Sequence, residues 1–438
     1  MKHTASRAKF LSTLIIFGLV GQIAWVVENM YFNVFIYKMF HASPADISAM
    51  VMASAVAATV TTLLMGALSD KLGRRKVFMA GGYILWGISI LSFAFIREDT
   101  MGLLFPAASV SAVCVTAVII MDCVMTFFGS TANDACFNAW LTDSTTHDNR
   151  GAAEGINAMM PLVAILAVFG GFMGFDLNRS ESWTLIFLII GIAVTAIGVV
   201  GFFIISEPHK KADGTNRYFA NILYGFRPSV MKQNPRLYLL LIAFALFGIS
   251  IQIFMPYLIL YYTEGLRMEG YVLIMAPAII LASVFTVLWG RVHDQVGFRR
   301  SILPALGLLC VGYILLYFFR ATPLVFAGSL LMMCGYLSGS AVFGAVIRDY
   351  TPEGRAGMFQ GLRIVGQVLI PGVVGPAIGA WVLRNAETVI GDDGTRSFIP
   401  NQNIFLAALA AAVVLGLFLA LLLRILKKSP SEARHEAN

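Results

Sequence analysis

Charge is what this sequence has least of. Asp, Glu, Lys and Arg make up 13% of its 438 residues, about half the share of an ordinary soluble domain. With 58% hydrophobic residues and a mean hydropathy of +0.79, a soluble enzyme built on one buried core is excluded. A disordered chain is excluded too, since that state needs high charge and few aromatics. Cysteine is scarce and unpaired in spacing: Cys114, Cys123, Cys136, Cys310 and Cys334 all sit in apolar stretches without a CxxC. Neither a disulfide framework nor a metal site is indicated. The GxxxxGK[ST], GxSxG and HExxH spacings are missing, which leaves nucleotide-driven pumping and hydrolase chemistry without a basis. The chain is therefore read as no enzyme and as needing no cofactor. No histidine lies inside an apolar run; His3, His41, His147, His209, His293 and His435 fall in loops or termini. The net charge of +7 would suit a nucleic-acid partner in a soluble chain. Here the basic residues instead mark loops at one membrane face, and no nucleic-acid partner is expected.

What is present is a series of apolar runs, at roughly 11–37, 45–68, 77–96, 103–141, 156–175, 182–205, 236–262, 270–289, 301–319, 323–347, 362–383 and 403–426. Each is near the 20 or so residues that cross a bilayer. The expected fold is an all-α membrane protein with twelve transmembrane helices. The fourth run is too long for one crossing, so part of it is expected to be loop or helical extension. Met1 to Lys9 imitates a signal peptide, but the run that follows is too long for one and contains Glu28, so it is read as an uncleaved first span. Sorting the 31 Lys and Arg by loop puts seven on the side opposite the termini (Lys38, Arg97, Arg179, Arg267, Arg320, Arg384 and Arg396) and 24 on the termini side. By the positive-inside rule both termini are cytoplasmic, and the expected location is a plasma membrane, the inner membrane of a bacterium. The reading divides the chain into a first bundle at 1–206, a cytoplasmic linker at 207–235, a second bundle at 236–427 and a polar tail at 428–438, in a protein expected to act as a monomer.

Two segments occur twice. Gly66, Asp70, Lys71, Gly73, Arg74 and Arg75 follow run 2, and Gly290, Asp294, Gly297, Arg299 and Arg300 follow run 8, with Asp70 and Asp294 224 residues apart. Asp143 to Arg150 and Gly155 follow run 4, echoed by Asp349 to Arg355 and Gly361 after run 10 at an offset of 206. The 18-residue difference in offset places an insertion between Arg97 and Val115, within the over-long fourth run. A glycine turn with an aspartate closing one helix and arginines opening the next can hold an ion pair made in one conformation and broken in another. The same arginines would also satisfy the positive-inside bias alone.

The Gly-x3-Asp-[Lys/Arg]-x-Gly-[Arg/Lys]-[Arg/Lys] loop after span 2, together with twelve spans and a mid-chain linker, resembles the major facilitator superfamily over essentially the whole chain. The second loop copy departs from the pattern, with Gln295 at a basic position and Phe298 before Arg299. Within that superfamily, Leu141-Thr-Asp143 with Asn149-Arg150, and Asn234-Pro235 at the start of span 7, are similar to the glycoside–pentoside–hexuronide:cation symporters and their sucrose–proton relatives. Those symporters place acids in span 2; this sequence is read as carrying none there before Asp70. The resemblance implies two pseudo-symmetric six-helix bundles related by an axis along the membrane normal, a substrate site between them, and a state-dependent gating cluster at Asp70, Arg74 and Arg75 with their repeat equivalents.

Acids inside the bilayer cost several kcal/mol unless used or paired. Three lie within runs: Glu28, Asp122 and Asp134. At about 100° per residue, Gln22, Trp25, Asn29 and Asn33 form one stripe of span 1 about 80° wide, with Glu28 at its border. Asp122, Thr126, Gly129 and Asn133 share a face of span 4, and Asp134 lies off it toward the cytoplasmic end. Glu28 and Asp122 both stand roughly 6–8 Å outward of the midplane. They are the candidate coupling pair, for a proton or for sodium, since like charges in low dielectric favour a shared proton and carboxylates are hard ligands. Pairing of each acid separately is the alternative. Gln22, Trp25, Asn29, Asn33, Thr126 and Asn133, with Gln252, Tyr257, Tyr336 and Gln367 in the second half, are the candidate substrate contacts. Amides and tyrosines suit a neutral polyol, and they equally serve as helix–helix glue. Tyr261 and Tyr262 read as an aromatic belt at the outer interface, and Pro371 and Pro376 as a kink. The expected function is transport of a small polar solute, a sugar or glycoside, coupled to a cation gradient across the lipid bilayer. A proton-coupled exporter of amphipathic compounds remains the second reading, with 33 Phe and 20 Met to line a greasy pocket.

Overall fold

A computed structural model describes residues 2–106, 109–145, 147–206, 223–268, 270–352, 356–390 and 394–425. Among them are 11 helices long and apolar enough to cross a membrane. Tyr271–Phe318 is 48 residues long and breaks at Gly297, where φ is 75° and ψ 175°, so it supplies two crossings and brings the total to twelve. The spans are 1 (Lys9–Phe40), 2 (Pro44–Ser69), 3 (Arg75–Phe95), 4 (Val110–Ser144), 5 (Gly155–Phe172), 6 (Ser180–Ile204), 7 (Pro235–Gly265), 8 and 9 (Tyr271–Phe318), 10 (Thr322–Tyr350), 11 (Gly361–Leu383) and 12 (Asn403–Arg424). The over-long fourth run divides as its length requires. A short helix, Glu98–Leu104, precedes span 4, which begins at Val110.

Local chemistry explains the boundaries. Span 2 starts on a capping box: Ser43 N donates to Asp46 Oδ2 at 2.8 Å, Asp46 N donates to Ser43 Oγ at 3.2 Å, and Pro44 occupies the first helical position. Asp46 is thus an acid in span 2 that the sequence reading passed over, and it is spent as a cap at the membrane edge. The helix that carries span 2, Pro44–Leu72, is capped at its end by Gly73, in the left-handed region with φ 63° and ψ 21°. Both motif glycines, Gly73 and Gly297, therefore have positive φ, the conformation that a residue with a Cβ adopts only at a cost. The one departure from an all-α chain among the described residues is a two-stranded hairpin, Thr388–Ile390 with Arg396–Phe398.

The chain forms two compact units, Met1–Tyr218 with Ile390–Ser397, and Phe219–Val389 with Phe398–Asn438. Most of the segment expected as linker, residues 207–222, and the expected tail, 428–438, lie outside the described residues; Pro228–Gln233 is a short helix. In the first unit span 3 runs backbone to backbone along span 6. A Cβ on Gly87 would stand 2.2 Å from Thr195 Oγ1 and 2.6 Å from the Gly191 carbonyl oxygen. Gly87→Val is expected to force these spans apart, at a cost of about 1–3 kcal/mol, and to be read as a lower thermal midpoint of the purified protein; Gly81→Val, where a Cβ meets nothing within 4 Å, should leave it unchanged. In the second unit, spans 9 and 10 approach in the same way: a Cβ on Gly335 would lie 2.4 Å from Leu309 N. The core of this unit gathers Phe254, Tyr313 and Phe405. Tyr261 and Tyr262 correct the belt expectation. Both are buried: Tyr261 donates to the Leu316 carbonyl at 3.1 Å and Tyr262 hydrogen-bonds Ser329. Their hydroxyls find partners inside the bundle, so no interfacial water is needed.

Four segments within the spans open into π-helix: Val27–Tyr31, Ser130–Phe137, Tyr261–Gly265 and Val365–Leu369. Such openings insert a residue into the helical register and gather at functional sites. Three of the four fall on candidate residues: on Glu28, on Asn133 and Asp134, and on Gln367.

Candidate functional site

The first unit brings three spans together on two acids. Glu28, on the π segment of span 1, and Asp122, on span 4, are 6% and 1% exposed. Ser54 of span 2 lies between them. Its Oγ donates to Glu28 Oε1 at 2.7 Å and stands 2.9 Å from Thr126 Oγ1. Thr126, one turn beyond Asp122, also donates to Glu28 Oε1 at 2.9 Å. Glu28 Oε2 and Asp122 Oδ1 have no hydrogen-bond partner, and no ion pair reaches either acid among the described residues. Two buried carboxyls on two helices, each with an oxygen to spare, with the Ser54 hydroxyl of a third helix and that of Thr126 beside them, can take up positive charge.

The stripe expected on span 1 divides. Asn29 is exposed and its Nδ2 donates to the Trp25 carbonyl at 2.8 Å; Asn33 is 1% exposed and donates to the Asn29 carbonyl at 3.1 Å. The π segment between Trp25 and Asn33 rotates the two asparagines apart, which a wheel at constant pitch misses. Gln22 and Trp25 are half-buried. Asn133 is committed to its own bundle: Trp25 Nε1 donates to its Oδ1 at 3.3 Å and its Nδ2 donates to Tyr83 OH at 2.7 Å, while Tyr83 donates to the Phe17 carbonyl at 2.6 Å. The Trp25 ring packs on Trp86 at 4.9 Å. Ser54, Tyr83 and Trp86 were not singled out from sequence.

In the second unit, Gln367 is exposed, Gln252 and Tyr336 are half-buried, and Tyr257 is 0% exposed. Gly375 packs against Gln252 and Gly379 against Tyr257, in each case too closely for a Cβ. These glycines let span 11 lie on span 7 beside both residues. An apolar cleft of about 280 Å³ in the first unit, lined by Ile23, Val168, Phe172 and Ile186 among others, holds none of the predicted site residues.

At the loop motif of the first unit, Arg75 is buried and pairs with Asp143. Its Nη2 lies 3.3 Å from Asp143 Oδ2, its Nε donates to the same oxygen at 3.3 Å, and Nη1 donates to Ser69 Oγ. The first repeat is thereby joined to the second, span 3 to the end of span 4. Arg74 and Lys71 are exposed and Gly66 packs on Ala135. In the second unit Asp294, Arg299, Arg300 and Asp349 are exposed, and the His293 ring nitrogen Nδ1 lies 2.7 Å from Ser301 Oγ. The Asp70 and Arg150 side chains, and Arg355, lie outside the described residues.

Twelve crossings in two units, a repeated loop motif on positive-φ glycines and carboxyls buried within the spans define a polytopic transporter fold. A profile for the Major Facilitator Superfamily matches residues 10–344 and 278–438, and the chain belongs to that superfamily of membrane transporters. No curated protein matches the sequence. Among solved structures it is similar to the nucleoside transporter NupG (TM-score 0.68, 15% identity, 93% of this chain and 98% of that one). It is also similar to a D-xylose-proton symporter (0.70, 13%, 96% and 99%). A bacterial homolog to the human lysosomal transporter Spinster, in an inward-facing and occupied conformation, aligns comparably (0.69, 16%, 96% and 98%). At such identities the likeness shows the fold.

Proposed function

We propose that this transporter moves a small polar solute, a sugar or glycoside, by alternating access coupled to a proton or sodium gradient, with Glu28 and Asp122 as the cation site. The observation that carries the reading is the buried cluster of Glu28, Ser54, Thr126 and Asp122 with its two unpartnered carboxylate oxygens. A permanently buried pair of negative groups is costly, and the cost is met when a cation binds. Support for a sugar comes from the polar side chains left exposed or half-buried in the spans, Gln22, Asn29, Gln252, Tyr336 and Gln367, and from neighbours described as a nucleoside transporter and a D-xylose-proton symporter. The Leu141–Asp143 and Asn234-Pro235 segments favour the glycoside–pentoside–hexuronide branch. Uptake of labelled disaccharides, D-xylose and a nucleoside, set beside efflux of an amphipathic dye from the same vesicles, tests the substrate class. Uptake of a sugar without dye efflux supports the reading; dye efflux alone overturns it in favour of an exporter.

The positive-inside bias supports a cytoplasmic position for both termini and the mid-chain segment. Lys232 is exposed on the Pro228–Gln233 helix. A Lys232→Cys variant is expected to resist an impermeant maleimide in intact cells and to react once they are permeabilised. Labelling in intact cells would invert the topology.

A further inference from the structure

Asp134 is the third acid inside the spans, and the cation cluster does not use it. It lies on the π segment of span 4, half-buried, where Ser130 Oγ donates to its Oδ2 at 2.9 Å. Ser130 is itself fully buried and stands four residues on from Thr126, whose hydroxyl touches Glu28. Four residues make about one turn, or about 6 Å, a gap that one water spans. Spans 1, 2 and 3 pack against this π segment: span 1 brings Glu28, held by Thr126, span 3 brings Tyr83, whose hydroxyl accepts from the neighbouring Asn133 at 2.7 Å, and span 2 offers Gly66 beside Ala135. No ion pair reaches Asp134 among the described residues. Span 4 thus carries oxygens in order from the cluster toward its far end: Asp122, Thr126, Ser130, Asp134. A site built to hold sodium would need no such continuation.

Resting on the reading of Glu28 and Asp122 as the cation site, we propose that the cation is a proton and that Asp134 is the relay acid carrying it between that pair and the cytoplasmic end of span 4, through the hydroxyls of Thr126 and Ser130. The proton that leaves the Glu28 carboxyl is taken up by the Asp134 carboxylate. Each hydroxyl on the way yields one proton as it accepts another, and Asp134 then gives its proton to cytoplasmic water, so none is gained or lost.

The test needs no substrate. Purified protein is reconstituted in liposomes, and those captured by a tag on the C-terminal tail present that end to the medium. The carbonyl stretch of protonated carboxylic acids is followed by infrared absorption after a pH step in the medium. The native protein is expected to show a band that Asp122→Asn or Glu28→Gln removes or diminishes. Asp134→Asn and Ser130→Ala are expected to keep that band and slow its response at least tenfold, with the native rate restored in Asp134→Glu. Ser130→Ala, which removes a single oxygen, carries the test if Asp134→Asn fails to fold. Native response rates in both variants would overturn the relay and leave the cation site standing. Absence of the band in native protein would instead overturn the proton as the cation.

Discussion

Asp122→Asn is expected to leave exchange of labelled for unlabelled solute running at close to the native rate and to abolish accumulation against a gradient. Asparagine keeps the shape of a protonated aspartate but cannot give up a proton or bind sodium as an anion. Asp122 Oδ1 is buried and without a partner, so the substitution breaks no hydrogen bond to that oxygen. Each pH unit of gradient stores about 1.4 kcal/mol per proton, a tenfold ratio in concentration. For one proton per solute, the inside-to-outside ratio should therefore fall from about tenfold per pH unit to one. Glu28→Gln should be more damaging, because Glu28 Oε1 receives both the Ser54 and Thr126 hydroxyls and an amide can present an N–H to them. Gradient-driven accumulation that survives Asp122→Asn would leave this acid as a structural partner within the first unit.

Asp143→Asn is expected to have the second large effect. Arg75 is 5% exposed at its side chain and Asp143 12%, with the guanidinium making two contacts to one carboxylate oxygen. Removing one charge of such a buried pair costs about 3–5 kcal/mol, because the other charge stays desolvated. The pair ties span 3 to the end of span 4, so its loss should lower the thermal midpoint and also shift the balance between conformations. Turnover should fall far more than solute affinity. Replacing both residues by apolar ones is expected to recover much of the stability, since no desolvated charge remains, but not the transport rate. A double variant with native turnover would show that the pair is structural glue without a part in gating. Asp70→Asn, in the same loop, is expected to slow transport in the same sense.

The twelve crossings were legible because a bilayer demands about 20 apolar residues at a time and the chain supplies them between basic loops. The repeated glycines were legible because Gly73 and Gly297 sit where the chain must turn left-handed. Glu28 and Asp122 could be matched by depth alone, by counting residues along two spans, and the structure joins Glu28 through Ser54 to Thr126, one turn from Asp122. Ser54 itself was invisible: one serine among the small residues of span 2 carries no periodic signal. The divergence of Asn29 from Asn33 was hidden by the π segment, since a wheel at constant pitch has no place for an inserted residue. Asn133 shows a different limit. Its amide reads as a substrate contact until Trp25 and Tyr83 are seen to occupy it, and those partners lie 108 and 50 residues away. Tyr261 and Tyr262 look like an interfacial belt until Leu316 and Ser329 supply partners within the bundle.

The measurement that bears most directly on cation-coupled transport is solute accumulation in liposomes holding only the purified protein. An inward proton or sodium gradient is imposed, and labelled D-xylose, a disaccharide and a nucleoside are each supplied outside. Coupled transport predicts that at least one rises inside above its outside concentration under one of the two gradients and drains back when that gradient is collapsed by an ionophore. If every solute that enters stops at the outside concentration under both gradients, the chain is a facilitator and the Glu28–Asp122 cluster is not a coupling site.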